Sequence, residues 1–158
     1  PIRALSRAHA LLVVDGPLAE ADELRVARAA PLAARFTLER RPDSTRPLAG
    51  GVREPATLLA GRRVGLVSGI ARPAALRETL RSLGAEVVAE RAFPDHHRYR
   101  RADLAGLAAE APLWITTEKD AGKLLPAWVG GAEVRVLALA TEFASGEAFL
   151  DWLETRLR

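Results

Sequence analysis

The sequence contains no cysteine and no methionine in its 158 residues, and aromatic side chains make up only 5% of it. Without cysteine the chain cannot form disulfides, thiolate zinc sites, iron–sulfur clusters or a cysteine nucleophile. No apolar run approaches the roughly 18 to 20 residues that span a bilayer, and no charged-then-apolar signal segment opens the chain. We therefore expect a soluble or peripheral protein. The missing initiator methionine predicts a processed or excised piece.

The residues that are present predict one packed domain rather than a disordered chain. Hydrophobic residues make up 49% and charged residues 27% of the sequence, at a length typical of a single compact core. The formal net charge of +3 comes almost entirely from arginine. The arginines are dispersed and are not interleaved with aromatic residues, a distribution that argues against nucleic-acid binding. Attraction to an anionic ligand or a membrane surface fits the charge better.

Short apolar strands alternate with helices along the chain, which predicts an α/β fold. Such alternation implies right-handed crossovers and a mainly parallel sheet with helices on both faces, a Rossmann-like three-layer sandwich. The predicted strands are 11–15, 34–38, 63–67, 85–89, 113–116 and 133–140, and the predicted helices are 19–30, one that begins at Pro73, 102–109, 118–125 and 146–157.

Residues 39–55 interrupt this regular pattern. Their apolar periodicity vanishes while proline and glycine accumulate, a composition typical of connecting segments. We interpret them as a linker or an exposed hairpin, so that 1–55 forms a strand, a helix, a strand and a connection, and 56–158 forms an α/β domain.

Ligands of parallel α/β sheets bind beyond the carboxyl ends of the strands, which directs attention to three loops. The first loop begins with Ser68 and Gly69, where a glycine before a helix lets the backbone approach an anion. A simple tight turn explains the same glycine. The chain has no GxxxxGK[ST] segment and therefore no Walker A loop of its own.

The second loop, Asp95-His96-His97, has the richest chemistry and permits three interpretations. A neutral imidazole in it could accept a proton near neutral pH. The loop could instead be solvated, with Asp95 capping the following turn. A metal site is the third interpretation, although adjacent histidines point in opposite directions in an extended loop and no further ligands are evident nearby.

The third loop, residues 116–123, follows an apolar strand and opens a helix. Thr117 suits an N-cap, and Glu118 and Asp120 in the first turn complement the helix dipole. Lys119 and Lys123 are the only lysines in the chain and are four residues apart. A compact ammonium suits a phosphate or carboxylate, so anion binding and a purely structural role both remain open.

Taken together, these loops resemble the C-terminal half of the tetraacyldisaccharide 4'-kinases, the lipid A 4'-kinases. An Asp-His pair before a Tyr-containing loop, followed by Thr-Glu-Lys-Asp, is specific in combination. The opening residues, from Pro1 through Asp15-Gly16, also resemble the family stretch after its first half, so that the resemblance covers essentially the whole chain. The matching motifs are Ser68-Gly69-Ile70 with Pro73, Leu83-Gly84-Ala85-Glu86, Phe93-Pro94-Asp95-His96-His97-Arg98-Tyr99, and Thr116-Thr117-Glu118-Lys119-Asp120 with Lys123.

The resemblance implies transfer of the γ-phosphoryl group of ATP to the 4'-hydroxyl of a tetraacyldisaccharide 1-phosphate in lipid A biosynthesis. It places the whole enzyme at the cytoplasmic face of the bacterial inner membrane. Family members have a first α/β domain with the phosphate-binding loop, the magnesium-site acids and a catalytic aspartate. In these terms 1–55 joins that missing half to a C-terminal domain, 56–158. ATP and Mg²⁺ would be bound mainly by the missing half, and we expect the fragment alone to be inactive.

Within this resemblance His96 matches the family histidine that helps to deprotonate the sugar hydroxyl, because it directly follows Asp95. No residue is assigned to a metal. Two rival hypotheses stay open: a stand-alone, non-catalytic α/β module that binds an anionic small molecule, and a metal-dependent hydrolase that uses Asp95, His96 and His97. The candidate residues of the substrate or nucleotide cleft are Asp95, Ser68, Gly69, Thr117, Glu118, Lys119, Asp120 and Lys123.

Overall fold

The computed structural model describes residues 2–157, so Pro1, the first residue of the opening motif, lies outside the described residues. Short 3₁₀ turns occur at Ile2–Arg7, Ala56–Leu59, Arg101–Leu104 and Pro126–Trp128. The strands are β1 (Ala10–Val14), β2 (Ala34–Pro47), β3 (Glu54–Pro55), β4 (Arg63–Ser68), β5 (Glu86–Ala92), β6 (Leu113–Thr117) and β7 (Glu133–Phe143). The helices are α1 (Glu20–Ala29), α2 (Pro73–Ser82), α3 (Leu107–Glu110), α4 (Glu118–Ala121) and α5 (Gly146–Leu157). None of these helices is both long and apolar enough to cross a membrane.

The described residues fall into two compact units. Unit 1 contains the residues up to Arg41 and those from Ala140 onward, and unit 2 spans Pro42–Leu139. Strands β2 and β7 each contribute residues to both units. Neither break coincides with the boundary expected between 55 and 56, and the division into a joining segment and a C-terminal domain stays a prediction about a longer protein.

Unit 1 combines a parallel strand pair with an aromatic cluster. Strand β1 pairs with the first part of β2, from Ala10 opposite Ala34 to Val14 opposite Leu38. Phe36 of β2 meets Phe149 of α5 edge to face, with ring centroids 5.0 Å apart. Helix α5 therefore packs on β2 through this aromatic contact, while Leu150 and Leu157 of the same helix are exposed.

In unit 2, neighbouring strands of the sheet follow the order β2, β7, β6, β4, β5, and β3 is antiparallel to β2. The pairs β4–β5, β4–β6 and β6–β7 are all parallel. This arrangement confirms the predicted α/β class with a mainly parallel sheet. The crossover helix α2 begins at Pro73, which is tolerated at the first turn because its missing amide would have no partner there.

Side chains of β4 and β6 alternate between two cores on opposite faces of this sheet. On one face, Leu66 and Ile115 pack with Leu80 of α2. On the other face, Val67 and Trp114 pack with buried residues of the segments that follow β5 and β6, including Leu104, Leu107 and Leu124. Both faces of the sheet are covered, which confirms the predicted layering.

The interpretation of 39–55 as a linker was wrong, because β2 continues without interruption to Pro47. Ser44 and Thr45 are buried in it, and they pair with Pro55 and Glu54 of β3. The alternative of an exposed hairpin agrees better with the structure, since β2 and β3 pair in antiparallel fashion, but this hairpin is partly buried. Its inward residues are small hydroxyl side chains rather than apolar ones, so the strand carries no hydrophobic alternation.

Two predicted helices are much shorter in the structure. Residues 102–109 form a 3₁₀ turn and the four-residue helix α3, separated by Gly106 in a left-handed conformation with φ of 80°. Residues 118–125 form only α4, which ends at Ala121. Gly122 follows and Pro126 opens a new turn, and both residue types terminate helices.

Candidate active site

The structure brings the three predicted loops together at the carboxyl ends of β4, β5 and β6, within unit 2. The Gly69 amide of the first loop donates to Asp120 Oδ2 of the third at 2.9 Å. Lys119 Nζ, also in the third loop, donates to Asp95 Oδ1 of the second at 2.7 Å. The strand-end rule therefore located one cluster of side chains from three separate stretches of sequence.

Asp120 is the buried centre of this cluster. Its carboxylate is fully shielded from solvent and accepts from the Gly69 amide, from Thr117 Oγ1 at 3.0 Å and from Lys123 Nζ at 3.2 Å. Thr117 Oγ1 in turn accepts from the Asp120 amide at 3.1 Å, which makes Thr117 the N-cap that the sequence predicted. Burial, with the Asp120 charge as a second cause, raises the pKa of Tyr99 well above its ordinary value.

The first loop is packed closely against the second loop at Gly69. A Cβ at Gly69 would lie 3.0 Å from Tyr99 Oη, 3.1 Å from His97 Cβ and 3.3 Å from the Pro94 carbonyl oxygen. Because its amide is already bonded to Asp120, Gly69 here serves close approach of two loops rather than anion binding. Ser68 is fully buried, and its carbonyl oxygen accepts from the Phe93 amide at 2.8 Å.

The two adjacent histidines have different environments. His97 is stacked on Phe93, with centroids 4.5 Å apart, and meets Tyr99 edge on at 5.0 Å. Its Nε2 lies 3.0 Å from Asp103 Oδ2. That hydrogen bond, together with one from the Arg100 amide, lowers the pKa of Asp103. His97 is therefore part of the packing that holds the loop on the domain.

His96 points away from this packing, and 77% of its side chain is exposed. Its backbone has a φ of 62°, a left-handed conformation that is unusual for a residue with a Cβ. The His96 amide donates to Asp95 Oδ1 at 3.0 Å, and its Nε2 lies 3.5 Å from Asp95 Oδ2. The imidazole is thus accessible to a substrate and has a carboxylate beside it.

The two lysines also have separate roles. Lys123 bonds to the buried Asp120, whereas Lys119 reaches the exposed loop and bonds to Asp95. The hydrogen bond from Lys119 is the main reason why the pKa of Asp95 lies below its ordinary value. Glu118 is half exposed, and its Oε1 lies 4.0 Å from Arg53 Nη2, the longest distance at which the two charges form an ion pair.

Sequence reasoning missed Asp103, which fixes His97. The signal was an aspartate at the third residue of a turn, since Asp103 Oδ2 also accepts from the Arg100 amide at 2.8 Å. The sequence also did not predict that Phe93 and Tyr99 pack against the His97 ring. Between Ile2 and Leu157 no group of three or more His, Asp or Glu side chains is placed to hold a metal ion.

Comparison with known proteins assigns the chain to a protein family. All of residues 1–158 match the family model described as tetraacyldisaccharide-1-P 4'-kinase. The chain is 40% identical over 162 residues to the tetraacyldisaccharide 4'-kinase of Anaeromyxobacter dehalogenans strain 2CP-1, covering 96% of this chain and 43% of that protein. It is 52% identical over 91 residues to the enzyme of the same name from Methylorubrum populi, covering 55% of this chain and 28% of that protein.

A solved structure has the same fold. The crystal structure of LpxK from Aquifex aeolicus in complex with ATP superposes with a TM-score of 0.62 at 24% sequence identity, covering 98% of this chain and 44% of that one. The chain thus spans less than half the length of these two longer proteins, the Anaeromyxobacter dehalogenans relative and the Aquifex aeolicus structure.

Proposed function

This chain belongs to the tetraacyldisaccharide-1-phosphate 4'-kinase family, and we propose that it is the C-terminal part of such a kinase. The reaction transfers the γ-phosphoryl group of ATP to the 4'-hydroxyl of a tetraacyldisaccharide 1-phosphate, a step of lipid A biosynthesis. The kinase names of its relatives support this function over a non-catalytic binding module.

In this proposal His96 is the general base. As the 4'-oxygen forms its bond to the γ-phosphorus and the bond to the ADP oxygen breaks, the hydroxyl proton passes to the neutral imidazole. A base must be accessible and must have an unoccupied ring nitrogen. The observation that carries the assignment is the contrast between the exposed His96 and the packed His97, whose ring bonds to Asp103.

Around this base we propose that the exposed side chains of Asp95, Lys119 and Glu118 form part of the cleft wall. Ser68, Gly69, Thr117, Asp120 and Lys123 would shape that wall from beneath, since they bond or pack among the loops. Phosphoryl transfer depends mainly on positioning and on charge stabilisation, so a rigid wall contributes to rate without touching the phosphoryl group.

The ATP phosphates and Mg²⁺ need residues that residues 2–157 do not offer, since these contain neither a Walker A loop nor a cluster of metal ligands. We propose that an N-terminal phosphate-loop half supplies both sites. The complete kinase would act on its lipid substrate at the cytoplasmic face of the inner membrane.

Replacement of His96 in the complete kinase tests the base. We expect His96→Asn to lower kcat about 10²-fold or more with little change in the KM for ATP, because a positioned general base contributes roughly 10² to 10⁴ in rate. Asparagine tolerates the left-handed backbone of residue 96 better than alanine, so that a loss of rate reflects the missing imidazole. His96→Ala should behave in the same way.

The matched control is His9→Ala, which removes the third histidine of the chain from unit 1, outside the three loops. Its kcat should equal that of the unsubstituted enzyme. An unchanged kcat in His96→Asn would remove His96 from the mechanism. Activity of the isolated 158-residue chain with ATP and the disaccharide would contradict the proposed division of the site between two halves.

A further inference from the structure

The loop that carries His96 is attached to the domain in two different ways. At its base, the rings of Phe93 and His97 stack and Tyr99 meets both of them edge on, and this packing fixes the backbone on both sides of residue 96. At its tip, the His96 ring makes no aromatic contact with any other residue between Ile2 and Leu157. The tip is connected to the rest of the domain by the Asp95 carboxylate.

Asp95 Oδ1 is a shared acceptor. It receives the His96 amide at 3.0 Å and Lys119 Nζ at 2.7 Å. The first bond stabilises the left-handed backbone of His96, which a residue with a Cβ adopts only when its surroundings impose it. The second bond connects the same oxygen to α4, 24 residues further along the chain. The orientation of His96 therefore depends on a carboxylate whose own position is set by Lys119.

We propose that Lys119 is a positioning residue: through Asp95 it holds the tip of the loop so that the His96 imidazole faces the cleft in a single orientation. This proposal rests on the proposed base role of His96. Lys119 would not touch the phosphoryl group, and its effect would pass entirely through Asp95 and His96.

The two lysines of the chain provide an internal comparison. Lys123 is also bonded to an aspartate of the cluster, but its partner Asp120 is fully buried and holds the base of the loops together. Lys119 and Asp95 are 45% and 36% exposed. An exposed ion pair contributes little to global stability. Loss of Lys119 should consequently alter the loop tip without unfolding the domain, whereas loss of Lys123 should lower stability.

The kinetic test replaces Lys119 by methionine in the complete kinase. We expect kcat to fall about 10-fold with an unchanged KM for ATP, since small misplacements of a reacting group are costly in rate. Lys119→Arg, which can still donate to Asp95, should restore most of the rate. In an enzyme that already carries His96→Asn, the methionine substitution should change kcat less than about 2-fold, because effects that act through one residue are not additive.

A second measurement is independent of catalysis. Hydrogen exchange of the His96 amide, followed by NMR in this chain, should accelerate in Lys119→Met while the Tm stays close to that of the unsubstituted chain. Lys123→Met should lower the Tm instead. An unchanged His96 amide in Lys119→Met would overturn the proposal, and so would an equal loss of kcat with and without His96, which would place Lys119 on the substrate. Full activity of His96→Asn would instead remove the base role, even with an accelerated His96 amide.

Discussion

Replacement of Asp120 by alanine should destabilise the domain more than any change to its exposed ion pairs. The substitution leaves the Gly69 amide and the Thr117 hydroxyl without their acceptor, and it removes the partner of Lys123. Each buried group left unsatisfied costs about 1–3 kcal/mol. Lys123 is 30% exposed and can be hydrated, so its share is smaller. The two unsatisfied groups together cost about 2–6 kcal/mol, a range that includes the cost of breaking a buried pair.

For a chain of this size, 1 kcal/mol corresponds to roughly 2–4 °C in Tm, so Asp120→Ala should lower the Tm by roughly 4–24 °C. Circular dichroism during heating, and urea unfolding followed by the fluorescence of the buried Trp114, would measure the change. Asp120→Asn keeps an acceptor oxygen and should lose only about 1–2 kcal/mol. A Tm of Asp120→Ala equal to that of the unsubstituted chain would refute the view that this carboxylate joins the loops.

Two further predictions concern the sheet and the loop tip. Gly65→Ala should destabilise the domain by about 1–3 kcal/mol or more, measured by urea unfolding, because its Cβ would lie 2.5 Å from Trp114 Cδ2. Gly122→Ala is the control, since the space around Gly122 is open, and it should unfold at the same or a higher urea concentration. The pKa of Asp95, measured by carboxyl NMR, should lie below 3.8 and rise toward that value in Lys119→Met, since Lys119 is the main cause of its lowering. Because this pKa is lowered, the Asp95–Lys119 pair stabilises the fold above pH 3.8, and that stabilisation is lost as the pH falls through the lower, folded-state pKa. If Lys119→Met leaves the pKa of Asp95 unchanged, Lys119 is not the cause of its lowering.

Periodicity predicted those parts of the fold that bury apolar side chains on a regular spacing. Strands β4 and β6 and helix α2 are examples, since their inward residues are Val, Leu or Ile. The second half of β2 could not be found in this way. Its buried residues are Ser44 and Thr45, and Thr45 Oγ1 accepts from Arg135 Nε at 3.1 Å, a partner 90 residues away. Such a strand is stabilised by contacts that a local pattern does not contain.

The candidate site shows the same division between local and distant causes. That three loops converge follows from a general rule of parallel sheets, and the N-cap role of Thr117 follows from the residue type and its position. The distinction between His96 and His97 depends on partners from outside the loop. The His97 imidazole bonds to Asp103 and stacks on Phe93. The His96 imidazole instead lies beside the Asp95 carboxylate, which Lys119 holds in place.

For the proposed base, the two adjacent histidines combine exposure of one ring with restraint of the backbone by the other. A general base must be exposed to reach its substrate, yet an exposed side chain on a mobile loop spends much of its time in unproductive orientations. Here the ring of His97, stacked on Phe93, restrains the backbone one residue away from His96, and the left-handed turn at His96 directs the two rings apart. His96 is therefore accessible to a substrate, while its neighbour His97 holds the backbone in place beside it.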